Sequence, residues 1–246
     1  MMRRLIHQIK NFLFPPYQDI SDEYINRLFC ANAGMLHRGN LLAFDYAVRH
    51  LPQDSVLLEI GSYAGLSTNA IIYYLQKHRK NNPFFTCDSW EYFGEKDHVS
   101  PSENYLNQVG ERADLSRESY MRFVKDGFIQ NLQFFSGARL PYAIHAHSEK
   151  FMSSWTREAE MEDIFGRKVK SGGKIGFCFL DGDHTLEGAE RDFSLIEPYL
   201  ASGGLILLDD SADGTRGSRN SLGKKLKNHP GYSLIMKNPN YLFMKK

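Results

Sequence analysis

The sequence predicts an α/β protein with a mostly parallel β-sheet that ends in an antiparallel hairpin. Short apolar runs alternate with helix-compatible segments, which is the pattern of parallel strands buried on both faces. The last two runs, residues 232–237 and 241–244, are joined by the short turn Asn238-Pro239-Asn240, so these strands must be antiparallel. With 246 residues the chain can bury the core of one α/β domain with insertions.

Composition and charge favour a protein that acts on a small molecule. The chain has 30 Lys and Arg against 29 Asp and Glu, so nothing in its charge calls for nucleic acid or an acidic partner. Its three cysteines, Cys30, Cys87 and Cys178, have no CxxC spacing, and two lie in apolar runs. This is typical of buried thiols in a reducing compartment, and we expect a cytoplasmic protein.

Residues 1–50 are predicted to form an N-terminal helical segment. The apolar residues at 5, 6, 9, 12 and 13 follow helical spacing, and Pro15-Pro16 ends this first helix. Polar residues interrupt the apolar ones, so we expect neither a signal peptide nor a transmembrane segment. The apolar face of residues 1–14 is expected to pack on the domain or on a partner subunit of a homo-oligomer. The alternative is weak peripheral contact with a membrane.

The first strand of the sheet is predicted at residues 55–60 and runs into the glycine turn, residues 61–65. A helix follows to about residue 78, and strand, glycine turn and helix together open a nucleotide-binding α/β unit. The turn lacks the glycine spacing of the dinucleotide fingerprint and the Lys-Ser/Thr pair of a phosphate-binding loop. A ligand with a nucleoside but no phosphate therefore fits it better.

A second strand, residues 84–87, ends at Asp88. Ligands of open parallel sheets bind beyond the carboxyl ends of the strands, so Asp88 and the glycine turn should line one crevice. The crossover that follows, residues 89–141, is far longer than one helix requires and carries many aromatic residues. We expect an insertion with a helix at 118–130, which forms a satellite core, a cap over the crevice, or both.

The remaining elements continue the alternation of strand and helix. In order, we predict a strand at 142–147, a surface helix and loop at 153–174, a strand at 177–180, a helix at 186–200, a turn at 202–204, a strand at 205–208 and a helix at 217–229.

Acidic residues follow the two strands at 177–180 and 205–208. The first is followed by Asp181-Gly182-Asp183-His184 and the second by Asp209-Asp210. Neighbouring parallel strands would bring these groups to one edge of the sheet. Crowded like charges repel, so the cluster requires a cation or a shared proton.

Two stretches resemble motifs of one enzyme family. Glu59-Ile60-Gly61-Ser62-Tyr63-Ala64-Gly65-Leu66-Ser67 resembles the first motif of class I S-adenosylmethionine-dependent methyltransferases. Residues 179–188 resemble a later strand of the branch that includes macrocin-type sugar O-methyltransferases and, more distantly, the catechol and caffeoyl-CoA enzymes. The resemblance implies a Rossmann-like three-layer sandwich with a seven-stranded sheet. It also implies a methyltransferase domain at 51–246 with a cap insertion at 89–141.

The resemblance implies S-adenosylmethionine as the cofactor. Gly61 and Gly65 would let the backbone approach the methionine part of the cofactor, and Glu59 and Ser67 would hold its amino and carboxylate ends. The implied cofactor-binding residues are Glu59, Gly61, Ser62, Gly65, Ser67, Asp88, Ser148 and Asp181.

Two of these residues would contact the adenosine part. Asp88 would accept hydrogen bonds from the ribose hydroxyls, since a carboxylate can take two donors. Ser148 falls where the adenine is usually contacted. The alternative for Asp88 is a capping or surface-loop aspartate.

The same resemblance implies a magnesium site formed by Asp181, Asp209 and Asp210. A hard divalent cation takes oxygen ligands, leaves room for a vicinal diol and lowers the pKa of a bound hydroxyl. His184 has the spacing of the general base in related enzymes, and an imidazole suits proton removal near neutrality. Asp183 is the competing base. The alternatives are a hydrogen-bonded histidine at a helix start and a capping Asp209-Asp210 pair without metal.

We therefore expect a metal-dependent O-methyltransferase that acts on a hydroxyl of a sugar or polyol-like small molecule, with specificity determined by residues 89–141. One rival is a hydroxylase-like relative of the same branch, although the sequence shows no obvious set of two histidines and a carboxylate. The other is a non-catalytic module that binds the cofactor or a partner.

Overall fold

The computed structural model of the chain describes residues 17–20, 22–91, 117–213 and 218–246. The predicted helix within residues 1–14 lies outside the described residues. Residues 92–116, about half of the predicted insertion, also lie outside them. Among the residues that are described, no helix has the length and apolarity needed to cross a membrane.

Helices and strands alternate along the described chain. The helices are α1 (Glu23–Ala31), α2 (Asn40–Arg49), α3 (Leu66–Lys77), α4 (Arg117–Ser136), α5 (Ser148–Thr156), α6 (Leu186–Ile196) and α7 (Ser218–Lys227), with a 3-10 turn at Glu197–Tyr199. The strands are β1 (Val56–Ile60), β2 (Phe84–Asp88), β3 (Tyr142–His145), β4 (Glu160–Glu162), β5 (Lys168–Lys170), β6 (Ile175–Leu180), β7 (Leu200–Leu208), β8 (Tyr232–Lys237) and β9 (Tyr241–Lys245).

Seven strands form the main sheet, in the order β3-β2-β1-β6-β7-β9-β8. The pairs from β3 to β7 are parallel, whereas β9 is antiparallel to both β7 and β8. Leu180 of β6 lies opposite Leu208 of β7, so Asp181 and Asp209 leave the sheet side by side. The predicted mostly parallel sheet with a final antiparallel hairpin is confirmed.

The two faces of the sheet are covered by different helices. On one face, Phe177 and Phe179 pack in a core that includes Phe44 of α2 and Phe128 of α4. On the other face, Cys178 and its neighbours pack with residues of α5, α6 and α7. Every residue of β1 and β6 is buried, as expected for strands covered on both sides. Successive residues of β6 thus point to opposite faces of the sheet, and helices cover both faces. The result is the predicted three-layer sandwich.

Three stretches differ from the sequence prediction. Residues 148–156 form α5, and a small β4–β5 hairpin follows where a helix and loop were predicted. Opposite charges face each other across this hairpin, Glu160 with Lys170 and Glu162 with Lys168, and such cross-strand pairs stabilise it. The two strands are too short to show an alternating pattern in the sequence. The predicted turn at 202–204 lies within β7, and α4 is longer than the predicted helix at 118–130.

Candidate active site

The predicted site residues lie where parallel strands end. Gly61 follows β1, Asp88 ends β2, Asp181 follows β6 and Asp209 follows β7. The backbone N–H of Asp181 donates to Ile60 O at 2.8 Å, and that of Asp209 donates to Leu180 O at 3.1 Å. The sheet hydrogen bonding thus continues into the acidic residues and fixes where their backbones lie.

Position 61 requires a glycine because its backbone lies against the residue that follows β6. Its φ is +84°, and a Cβ at this position would lie 2.1 Å from the carbonyl oxygen of Asp181. Gly65 has φ +87° and precedes α3, and a Cβ there would lie 3.1 Å from the ring of Phe128. Both glycines of the turn are therefore explained by the packing of this chain.

Asp88 braces the glycine turn. Its Oδ2 accepts hydrogen bonds from the backbone N–H groups of Ser62 and Tyr63, both at 2.8 Å, and its Oδ1 accepts from Trp90 N at 2.7 Å. Burial raises the pKa of Asp88, and these three backbone donors partly offset that rise. The hydrogen bonds match the capping alternative, and a contact of Asp88 with a ribose stays a prediction.

Two residues beside Asp88 adopt left-handed backbone conformations. Tyr63 has φ +45° and Trp90 has φ +43°. The indole Nε1 of Trp90 donates to Tyr63 O at 2.9 Å, and the Tyr63 hydroxyl forms a hydrogen bond with the Tyr120 hydroxyl of α4. Strained backbone persists where several contacts fix it, and it clusters at ligand sites. Neither role could be predicted from the sequence, because nothing local to either residue indicates a positive φ.

Glu59 lies fully buried beneath the turn. Its Oε2 accepts hydrogen bonds from the hydroxyls of Thr68 at 2.6 Å and Thr86 at 2.9 Å. Its Oε1 has no hydrogen-bond partner among the residues described. Burial raises the pKa of Glu59 to about 7, and the hydroxyl donors limit the rise.

Within the turn, Ser62 also has a buried hydroxyl without a hydrogen-bond partner among the described residues. Ser67 is also buried, at 7% exposure. Unpartnered polar atoms are rare in protein interiors, and a ligand is one way to satisfy them. The donors and acceptors around this turn therefore fit a ligand with an amino group and hydroxyls, as S-adenosylmethionine has.

Ser148 begins α5 and ties it to α6. Its hydroxyl donates to Asp192 Oδ1 at 2.5 Å. Burial raises the pKa of Asp192, and the bond from Ser148 opposes that rise. The predicted contact of Ser148 with an adenine would require this hydroxyl to be shared or released.

The two candidate bases have different surroundings. Asp183 accepts from Thr185 N at 2.8 Å and from the Arg191 guanidinium at 3.3 Å. Burial alone raises the pKa of Asp183, but these hydrogen bonds outweigh it and hold the pKa below its usual value. His184 instead faces Asp210, with 3.2 Å between Nδ1 and Oδ2. Asp183 is thus part of the start of α6, whereas His184 is paired with a carboxylate.

The three predicted magnesium ligands are not gathered in this structure. Asp209 is 5% exposed, and its Oδ1 accepts hydrogen bonds from Asn40 Nδ2 at 2.5 Å and Asn240 Nδ2 at 2.7 Å. Asp210 has φ +49° and faces His184. Within the described ranges, no group of three or more His, Cys, Asp or Glu side chains is arranged to hold a metal ion. The conformation seen here does not fit a magnesium ion.

Comparison with known proteins identifies the family. Residues 58–211, more than half of the chain, match the sequence model of a family described as a methyltransferase domain. The chain belongs to this methyltransferase family. The predicted class I methyltransferase is thereby confirmed. A separate search of curated protein sequences finds no match to this methyltransferase.

Several solved structures share the fold of the methyltransferase. The calicheamicin methyltransferase CalS11 is 16% identical, with 93% of this chain and 95% of that chain covered and a TM-score of 0.54. An O-methyltransferase from Bacillus cereus in complex with SAH is 12% identical, with 100% of each chain covered and a TM-score of 0.53. The O-methyltransferase NovP is 14% identical, with coverage of 100% and 98% and a TM-score of 0.53. At these identities the likeness supports the fold.

Proposed function

We propose that this methyltransferase transfers the methyl group of S-adenosylmethionine to a hydroxyl of a small polyol-like molecule such as a sugar. The observation that carries the proposal is the braced glycine turn, with buried unpartnered oxygens of Glu59 and Ser62, next to an acidic sheet edge. O-methyltransferases among the structures of similar fold support the choice of an oxygen acceptor.

The turn and the strand ends would bind and orient the donor. When bound, S-adenosylmethionine supplies an electrophilic methyl group on a positively charged sulfur. Gly61 and Gly65 keep the turn free of side chains, and Asp88 holds the N–H groups of Ser62 and Tyr63 in place. A preorganised turn lowers the cost of ordering the ligand.

His184 would remove the proton of the acceptor hydroxyl. The hydroxyl oxygen forms its bond to the methyl carbon as the carbon–sulfur bond breaks, and the proton passes to the imidazole. Asp210, 3.2 Å from Nδ1, would orient the ring and stabilise the imidazolium. The hydrogen bonds of Asp183 to Thr185 and Arg191 make it the weaker candidate.

Magnesium dependence is a separate part of the proposal. Its support is the placement of Asp181 and of Asp209-Asp210 directly after neighbouring parallel strands, since carboxylate oxygens are the ligands that magnesium prefers. Gathering these carboxylates would require side-chain changes from the arrangement described above.

Calorimetry with S-adenosylmethionine and with its demethylated product tests the donor half of the proposal. Purified protein is expected to bind both, and a folded protein that binds neither would show a non-catalytic role or a different ligand. Transfer of labelled methyl groups to metabolite extracts, followed by mass spectrometry, then identifies the acceptor.

Variants test the base. His184→Gln should lower methyl transfer about 10²-fold or more while leaving product binding unchanged. The exposed His229→Gln is the matched control and should behave like the wild type. A larger loss in Asp183→Asn than in His184→Gln would assign the base to Asp183.

The metal is tested by chelator treatment. Chelated protein should lose transfer and regain it on addition of Mg²⁺, with Mg²⁺ binding seen by calorimetry. Full activity after chelation would remove the metal from the proposal and leave the methyl transfer standing.

A further inference from the structure

Two amide side chains from different helices hold the glycine turn at Ala64. The carbonyl oxygen of Ala64 accepts a hydrogen bond from Asn32 Nδ2 and another from Asn131 Nδ2, each at 2.9 Å. Asn32 is the C-terminal capping residue of α1, and Asn131 lies in α4. Neither helix is part of the glycine motif, and Asn32 also lies outside the family match.

A chain of buried hydrogen bonds links the two helices. Asn32 Oδ1 accepts from Asn69 Nδ2 at 2.8 Å, and Asn69 Oδ1 accepts from the Ser136 hydroxyl at 2.6 Å. Asn32, Asn69 and Ser136 are 3%, 0% and 2% exposed. The chain runs from α4 through α3 and α1 to Ala64, and Asn131 returns it to α4. A buried network with its members paired in this way is rigid.

The two amides fix one peptide of the turn. Gly65 N donates to Ser62 O at 2.8 Å, so the Ala64–Gly65 peptide has its N–H bonded within the turn and its C=O bonded to the two amides. Phe128 of α4 packs against Gly65 on the same side. The orientation of this peptide is therefore determined from both ends.

We infer that Asn32 and Asn131 are positioning residues for the donor, because they set the shape in which the glycine turn receives S-adenosylmethionine. The inference rests on the proposed function. It makes donor affinity depend on α1 and on α4, the helix of the inserted region, as well as on the glycine motif itself.

The test compares product affinity in variants of the full chain. Asn131→Ala should bind the demethylated product about tenfold more weakly than the wild type, in line with the loss of one net hydrogen bond. Asn131→Asp keeps the shape of the side chain but replaces the donor with an acceptor, so it should weaken binding at least as much. Gln130→Ala, at the exposed neighbouring position on α4, is the matched control and should bind like the wild type.

A double variant makes the test specific to Ala64. Because Asn32 and Asn131 donate to the same oxygen, Asn32→Ala combined with Asn131→Ala should weaken binding by more than the product of the two single effects. Affinities are measured at 10 °C by calorimetry, and thermal unfolding of each ligand-free variant reports its folding. A purely structural role would lower the melting temperature without changing the affinity of the folded protein.

Two results separate the inference from the function on which it rests. Folded Asn131 variants that bind the product as tightly as the wild type would overturn the inference, and Asn131→Asp alone decides the matter if Asn32→Ala does not fold. A wild-type protein that binds no product would instead contradict the proposed function.

Discussion

Asn40 donates a hydrogen bond to the carboxylate of Asp209 across 2.5 Å, although 169 positions separate them in the chain. Asn240 donates to the same oxygen and also to Asn40 Oδ1, at 2.7 and 2.9 Å. The start of α2 and the turn of the final hairpin are thereby joined to the end of β7. Neutral amides therefore hold Asp209 at the acidic sheet edge.

Removal of the Asn40 amide should destabilise the protein. We expect Asn40→Ala to lower the free energy of unfolding by about 2 kcal/mol, since the buried Asp209 loses a donor to its charge. The exposed Asn228, whose side chain donates to Lys224 O near the end of α7, is the matched control, and Asn228→Ala should change stability by less than about 0.5 kcal/mol. Urea unfolding measures both, and equal effects would show that the Asn40–Asp209 bond contributes nothing measurable.

Asp88→Asn separates a bracing role from a ribose-binding role. An amide has only one acceptor oxygen, so either orientation places its NH₂ group against a backbone N–H of Ser62, Tyr63 or Trp90. The ligand-free variant should therefore be less stable by about 1–3 kcal/mol, as measured by urea unfolding. Asp54→Asn, at an exposed position, is the control. Unchanged stability of ligand-free Asp88→Asn with weaker product binding would point to ribose recognition alone.

Glu59 should make stability fall as the pH rises. Its pKa is raised from 4.5 to about 7 in the folded protein, so between these values the folded state keeps a proton that the unfolded state has lost. Stability from this group is complete below pH 4.5 and is lost by about pH 7, a difference of about 3 kcal/mol. Glu59→Gln should remove this part of the pH dependence in urea unfolding at pH 5 and pH 8.

The exposed Glu162→Gln is the control for Glu59, since it should keep the wild-type dependence. If wild type and Glu59→Gln lose equal stability between pH 5 and pH 8, Glu59 does not titrate in that range.

Gly61 and Gly203 form a matched pair for the contact with Asp181. Both have positive φ, +84° and +75°, but a Cβ on Gly203 would have nothing within 4 Å. Gly203→Ala should therefore cost only the backbone strain, about 1–2 kcal/mol. Gly61→Ala adds a collision with the Asp181 carbonyl and should either prevent folding or cost more than about 4 kcal/mol. Similar melting temperatures of the two variants would show that the strand ends separate easily.

The sheet could be predicted because its pattern is local. Val56–Ile60 and Ile175–Leu180 are buried throughout and contain one charged residue, Glu59, and each is followed by turn residues. The short turn at Asn238-Pro239-Asn240 left only an antiparallel pairing for β8 and β9. The β4–β5 hairpin was missed because three-residue strands are too short to show a period.

The partners of the site residues depend on tertiary structure. That Asp88, Asp181 and Asp209 stand at strand ends follows from the sequence, because each carboxylate comes directly after an apolar run and a charge within such a run is costly to bury without partners. Which distant groups they bond does not follow, since Asn40, Asn240 and Tyr63 belong to elements that only the folding of the chain brings next to these carboxylates. A side-chain hydrogen bond between distant parts of the chain acts over about 3 Å in space and leaves no period in the sequence, so only the folded arrangement shows that Asp88 braces the turn and that Asp209 is held by amides.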